Sequence, residues 1–129
     1  MKATAREWIE KAEADFFSAG REYRARKRPN FDAACFFAQQ CIEKYLKGRL
    51  ADAGRPIPKT HDLSVLLDAV VPLEPLWEAA RPRLETLTSY AVLFRYPGES
   101  ATRTLAKTAI ADARWVRSMM RMSLRLRGR

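Results

Sequence analysis

Residues 34–63 read ACFFAQQCIEKYLKGRLADAGRPIPKTHDL, the longest amphipathic run of the chain followed by a proline-studded connection that carries its one histidine. Ala34, Cys35, Ala38, Cys41, Ile42, Tyr45, Leu46 and Leu50 recur at steps of three and four, which places them on one broad apolar face of an α-helix. Gly54 stops that helix. Lacking a Cβ, it enters the left-handed conformation that closes a helix C-terminus, and Pro56 and Pro58 cannot continue helical hydrogen bonding. The same prolines stiffen the connection, so His61 is expected to be held in place.

Towards the N-terminus the pattern predicts a helix over about 4–27, capped by Thr4, with Trp8, Ala12, Phe16, Ala19 and Tyr23 on its buried stripe. Glu7, Glu10 and Glu13 come early, while Arg21, Arg24, Arg26, Lys27 and Arg28 come late. Such an order suits the helix dipole, although the basic cluster is also a candidate contact for a polyanion. Pro29-Asn30 breaks the chain, and Asn30 or Asp32 caps the central helix.

Towards the C-terminus, Thr60 or Asp62 caps a helix over about 63–71 whose inward face is Leu63, Leu66, Leu67 and Val70. Pro72 ends it. Short turns follow over 73–82 with Leu76 and Trp77, then a helix over about 83–94 facing inward through Leu84, Leu87, Tyr90, Ala91 and Phe94. Pro97-Gly98 makes a tight reversal. Ser100 or Thr102 caps the last helix, about 101–126, with Leu105, Ala109, Ala113, Val116, Met120 and Leu124 inward and Trp115, Met119 and Met122 left exposed beside them as a further packing surface. No alternating stretch reads as a strand. The expected fold is all-α, an antiparallel up-and-down four-helix bundle with short extra helical turns, formed as one domain over 1–129 with a basic helix end from about 114.

A length of 129 residues and a hydrophobic fraction of 47% suit one core. No apolar run reaches the roughly 18 to 20 residues of a membrane span, and the opening MKATAREWIEKAEADFF carries acids where a signal peptide needs an apolar stretch. A cytoplasmic protein with no membrane contact is the expectation. Cys35 and Cys41 are separated by about 9 Å along the helix axis and point apart, so they cannot bridge each other. They read as small core fillers, and with a single histidine no metal site is expected. The formal charge of +9 favours a polyanionic partner such as RNA, or an acidic protein.

Three blocks, Gln39-Gln40-x-x-Glu43-Lys44-x-Leu46-Lys47, Lys59-Thr60-His61-Asp62-Leu63 and Arg95-Tyr96-Pro97, together resemble the HEPN family, the higher eukaryotes and prokaryotes nucleotide-binding domain, over about the first 115 residues. The resemblance implies a helical homodimer that binds a nucleotide or RNA and works with a small nucleotidyltransferase, as similar prokaryotic members do in toxin-antitoxin pairs. Members of that family that cut RNA carry an arginine followed, after four to six residues, by a histidine near the start of the last helix. Arg95 stands where the arginine would be, but Ser100, Ala101 and Thr102 stand where the histidine would be. Histidine moves a proton near neutral pH and arginine steadies a pentavalent phosphate, whereas serine and threonine do not replace the proton shuttle unaided.

A non-catalytic binding module is therefore the first expectation, with no firm catalytic residue and no cofactor. Its rival is a metal-independent ribonuclease toxin with a degenerate motif, for which Arg95 and His61 are the catalytic candidates; Arg55 to His61 repeats the bare spacing but in the wrong place. A dimeric interaction protein without ligand is the third reading. Gln39, Glu43, Lys47, His61 and Arg95 are the expected ligand-binding set, on a polar helix face that also reads as a solvated, salt-bridged surface with Lys47 and Arg95 exposed. Arg114, Arg117, Arg121 and Arg125 recur at three and four residues as a basic stripe, continued by Arg127 and Arg129, for a nucleic-acid backbone or for solvent.

Overall fold

The computed structural model describes residues 1–126, with side chains described to Leu124; Arg127 and Arg129 lie outside the described residues, as does the side chain of Arg125. Five α-helices form it: α1 (Ala3–Arg24), α2 (Phe31–Asp52), α3 (Leu63–Val70), α4 (Arg81–Leu93) and α5 (Arg103–Leu126), with a 3-10 turn at Pro75–Ala80. Among the described residues no strand occurs and no helix is long and apolar enough to cross a membrane. The all-α bundle expected from periodicity is what forms.

Helix α2 packs against every other helix. Its predicted apolar face, Ala34, Cys35, Ala38, Cys41, Ile42, Tyr45, Leu46 and Leu50, is buried throughout. Both cysteines are free, and burial pushes the Cys35 thiol up to about 11 and the Cys41 thiol higher, which keeps both protonated and inert. Asn30 caps α2 by accepting from the Ala33 amide at 2.9 Å, and Gly54 closes it with φ +69°. Asp62 caps α3 through the Ser64 amide at 2.9 Å, and Thr102 holds the first turn of α5 through the Leu105 amide at 3.1 Å.

Helices α1 and α2 form an antiparallel hairpin seamed by small residues. Ala5, Ala12 and Ala19, one every seven residues, have no exposed surface. Opposite them Gly48 lets the backbones close up, since a Cβ there would lie 3.2 Å from both Ile9 Cγ1 and Trp8 Cβ. Trp8, Phe16 and Tyr23, expected on the buried stripe, are only half-buried and flank this seam. Thr4 is not the cap: α1 starts at Ala3 after Lys2, which makes no side-chain cap, and it ends at Arg24, where Ala25 leaves the helical region with ψ 127° before Arg28 turns the chain with φ 52°.

Side-chain ties fix the remaining directions. The Asp32 carboxylate accepts from the Ala101 amide at 2.6 Å, joining the starts of α2 and α5, while Glu74 accepts from Arg49 of α2 and Ser123 of α5 near their other ends. So α2 and α5 run parallel, the touching diagonal of an up-down-up-down order in which α1 and α4 make no contact. Helix α5 turns Ala106 and Ile110 inward along with Ala109, Ala113, Val116, Met120 and Leu124, while Leu105 is half-buried. Trp115 and Met119, expected to be exposed, pack partly against the core, and only Met122 of that group stays open to solvent. Pro82 was expected to precede α4, but it sits in the first turn, where its missing amide hydrogen is unneeded.

The Gly48 seam makes a prediction. Gly48→Leu should lose about 1–3 kcal/mol, as overpacked sites do, and lower the denaturant midpoint, because Trp8 and Ile9 block the added side chain; an unchanged midpoint would show that the hairpin opens freely.

Candidate functional site

From Gly54 to His61 the chain runs back along α2 to its middle, where the Gln39 amide donates to the His61 carbonyl at 2.9 Å. The His61 ring then meets Glu43, Nδ1 lying 3.0 Å from Oε1. A carboxylate only accepts, so this contact selects the tautomer with its proton on Nδ1 and leaves Nε2 free. Glu43 is also joined to Lys47 at 2.9 Å, and Lys47 lies over the Trp8 ring, 5.5 Å from its centroid. The i, i+4 pair is formed as its order suggests, but inside the bundle.

Gln39, Glu43 and Lys47 are all buried. The solvated face and the exposed Lys47 anticipated above are therefore corrected: this strip of α2 is covered by α1 and by the 54–62 connection. His61, by contrast, keeps 81% of its side chain exposed while its Nδ1 is anchored. A buried acid thus orients an open imidazole.

That imidazole opens on a cleft of about 630 Å³ between α2 and α4. Gln39, Gln40 and His61 line one side, and Thr88, Val92 and Arg95 the other. Three of the five expected ligand-binding residues meet there, whereas Glu43 and Lys47 stand behind the wall and act on the cleft only through His61. Arg95 is exposed just beyond the end of α4. Thr88 is a residue that pattern reading missed; its hydroxyl also accepts from the Leu63 amide at 3.2 Å, locking α3 beside the cleft. Ser100 and Ala101 lie around the corner, in a separate hollow with Arg28 and Asn30.

Charge gathers at the end of the bundle where α1 and α4 finish and α2 and α5 begin. Arg21, Arg24, Arg26, Lys27, Arg28 and Arg95 cluster there, and Arg103 lies over the Phe31 ring at 4.9 Å. The stripe on α5 behaves differently. Arg117 donates to Glu13 through both Nε, at 2.6 Å, and Nη2, at 2.9 Å, and stacks 4.9 Å from the Phe16 centroid. Tyr45 also donates to Glu13. Arg121 reaches Glu13 only at 4.0 Å, and Arg114 is exposed beside Phe16. One member of the stripe is thus committed to binding α5 to α1, and two face solvent.

The Arg117 hydrogen bonds hold the Glu13 carboxyl below its usual value against the opposing effect of burial. A depressed carboxyl contributes stability that is present above its unfolded value, near 4.5, and lost as pH falls through the folded value. Glu13→Gln should therefore be less stable than the natural sequence at pH 7 but converge with it as pH falls through the lowered value of the Glu13 carboxyl. Equal pH dependence in parallel denaturation curves would contradict that tie.

The family model described as the HEPN domain matches residues 5–123. Among solved structures, the chain is similar to the crystal structure of TT1696 from Thermus thermophilus, with a TM-score of 0.74 and 25% sequence identity over 94% of this chain and 98% of that one. None of the curated proteins compared with it matches.

Proposed function

The chain belongs to the HEPN domain family, and from that membership we propose that it is a non-catalytic nucleotide- or RNA-binding module whose ligand places a phosphate on Arg95 and a hydroxyl donor at the free Nε2 of His61. The observation that carries this reading is the α2–α4 cleft, where Arg95, His61, Gln39, Gln40 and Thr88 converge. Arginine offers a planar fork suited to phosphate oxygens, and the amide and hydroxyl groups add donors without adding charge. Phe36 and Val92 on the same rim give an apolar surface for a base. A longer RNA would continue over the basic end formed by Arg21, Arg24, Arg26, Lys27 and Arg28, with Arg114 and Arg121 as the solvent-facing members of the α5 stripe. We place the module in the cytoplasm, as a homodimer acting with a small nucleotidyltransferase in a toxin-antitoxin-like pair. The exposed apolar residues Val92, Leu93 and Tyr96 beside the cleft support contact with a second copy.

Binding is testable by thermal unfolding. A ribonucleotide or single-stranded RNA oligomer that binds only the folded state stabilises it by about 2.7 kcal/mol at a hundredfold excess over Kd. Arg95→Ala should abolish the shift without altering the unliganded transition, since the side chain is exposed. If neither nucleotides nor RNA move the transition, the proposal falls. For RNA, replacing Arg114 and Arg121 by Gln should flatten the salt dependence by about 0.7 per lost phosphate contact on a single strand.

One observation favours the rival ribonuclease reading: a buried Glu43 orients His61 with Nε2 free, the geometry a general base requires. The two readings separate on one assay. The binding module should cleave RNA no faster than its Arg95→Ala variant, whereas cleavage lost in both His61→Ala and Arg95→Ala would establish the nuclease.

A further inference from the structure

On the opposite side of α4 from the Arg95 cleft lies a second cleft of about 270 Å³, between α4 and α5. Leu87, Tyr90, Leu105 and Ala109 form its apolar walls, and its floor carries a carboxylate, Asp112. Asp112 is only 8% exposed. Among the described residues no hydrogen-bond donor reaches it; its charged neighbour is Arg83, whose Nε lies 3.9 Å away, too far for a hydrogen bond. Arg83 is drawn aside because its guanidinium stacks on Trp115, 5.0 Å from the ring centroid. Burial pushes the Asp112 carboxyl up, with Arg83 opposing the shift, as an under-solvated acid requires.

A buried acid without donors inside an apolar cleft selects its ligand by chemistry. An anion would meet the carboxylate at the floor, while Arg83, the cationic residue of the lining, is engaged on the Trp115 ring. Divalent cations need several oxygen ligands, and besides Asp112 and the Tyr90 phenol the side chains of the lining offer only the hydroxyls of Thr86, engaged with the Pro82 carbonyl, and of Thr108. An ammonium group brings up to three donors and a compensating charge, and an apolar body attached to it fills the space against Leu87, Tyr90 and Leu105. We propose that this α4–α5 cleft is a binding site for a small primary amine with an aromatic or aliphatic skeleton, its ammonium donating to Asp112. The site is independent of the phosphate-binding reading, since α4 separates the two clefts.

Phenethylamine and its neutral counterpart 2-phenylethanol, titrated into the isotopically labelled full-length protein and followed by NMR, test the assignment. The amine should shift resonances of residues 83–90 and 105–112 and saturate at least tenfold more tightly than the alcohol. Asp112→Asn, which preserves shape and removes charge, should weaken the amine at least tenfold and leave the alcohol unchanged. Thr108→Phe, at the exposed rim, should block both ligands while Asp112 stays in place. Absence of saturable amine binding, equal affinity for amine and alcohol, or an unaltered amine affinity in Asp112→Asn would each overturn the proposal.

Discussion

A helix covered on nearly every side has little solvent in which to leave its polar residues, and α2 is such a helix from Cys41 to Ala51. Each polar group on it must find a partner from another element or forfeit the hydrogen bonds it made to water, a cost of about 1–3 kcal/mol per group and more for a charge. The partners found come from every direction. Lys44 pairs with Asp15 of α1 at 2.5 Å, Tyr45 with Glu13, Arg49 with Glu74 before the 3-10 turn, and Glu43 with His61 of the connection. These polar contacts, more than the apolar face, dictate where the surrounding segments lie, because an apolar surface accepts many registers and a carboxylate beside an imidazole accepts few.

His61 derives its position from that constraint. Two prolines limit the conformations of the connection, but the hydrogen bonds from Gln39 and to Glu43 settle which one is used. Removing one member of a buried charge pair such as Glu43–Lys47 typically costs about 3–5 kcal/mol, because the other charge is left stranded. A polar cluster of that kind is a weak source of net stability and a strong source of positional definition. The cleft wall is rigid on the α2 side for this reason, whereas Arg95, at the end of α4, is fixed by its backbone alone.

Much of this was legible in the residues. Three- and four-residue spacing located all five helices, because apolar faces must match the helical period whatever they pack against. The blocks around Gln39, His61 and Arg95, widely separated along the chain, do meet at one cleft. What spacing could not reveal is how many sides of a helix are covered. Glu43 and Lys47 look like an exposed ion pair from their i, i+4 order, and burial becomes evident only when α1 and the 54–62 connection are laid over them. Arg117 posed the same difficulty: its 3–4 spacing with Arg114 and Arg121 suggests a uniform stripe, but Glu13 lies 104 residues away and only the tertiary fold brings it near. Similarly, Ala5 was overlooked because alanine contributes little to an apolar pattern, although at a tight seam its small size is the useful property. Asp112, the lone acid on its stretch of α5, was equally inconspicuous until α4 closed over it.

The Asp32–Ala101 hydrogen bond anchors the start of α5 to the start of α2, independently of the turn that precedes it. The path length between Arg95 and α5 is thereby uncoupled from the docking of α5. Doubling such a connection costs about 0.6 kcal/mol in loop-closure entropy, so residues could be gained or lost between positions 96 and 100 while the bundle stayed intact. A fold arranged in this way leaves the reach between a fixed arginine and the first turn of the last helix open to evolutionary drift.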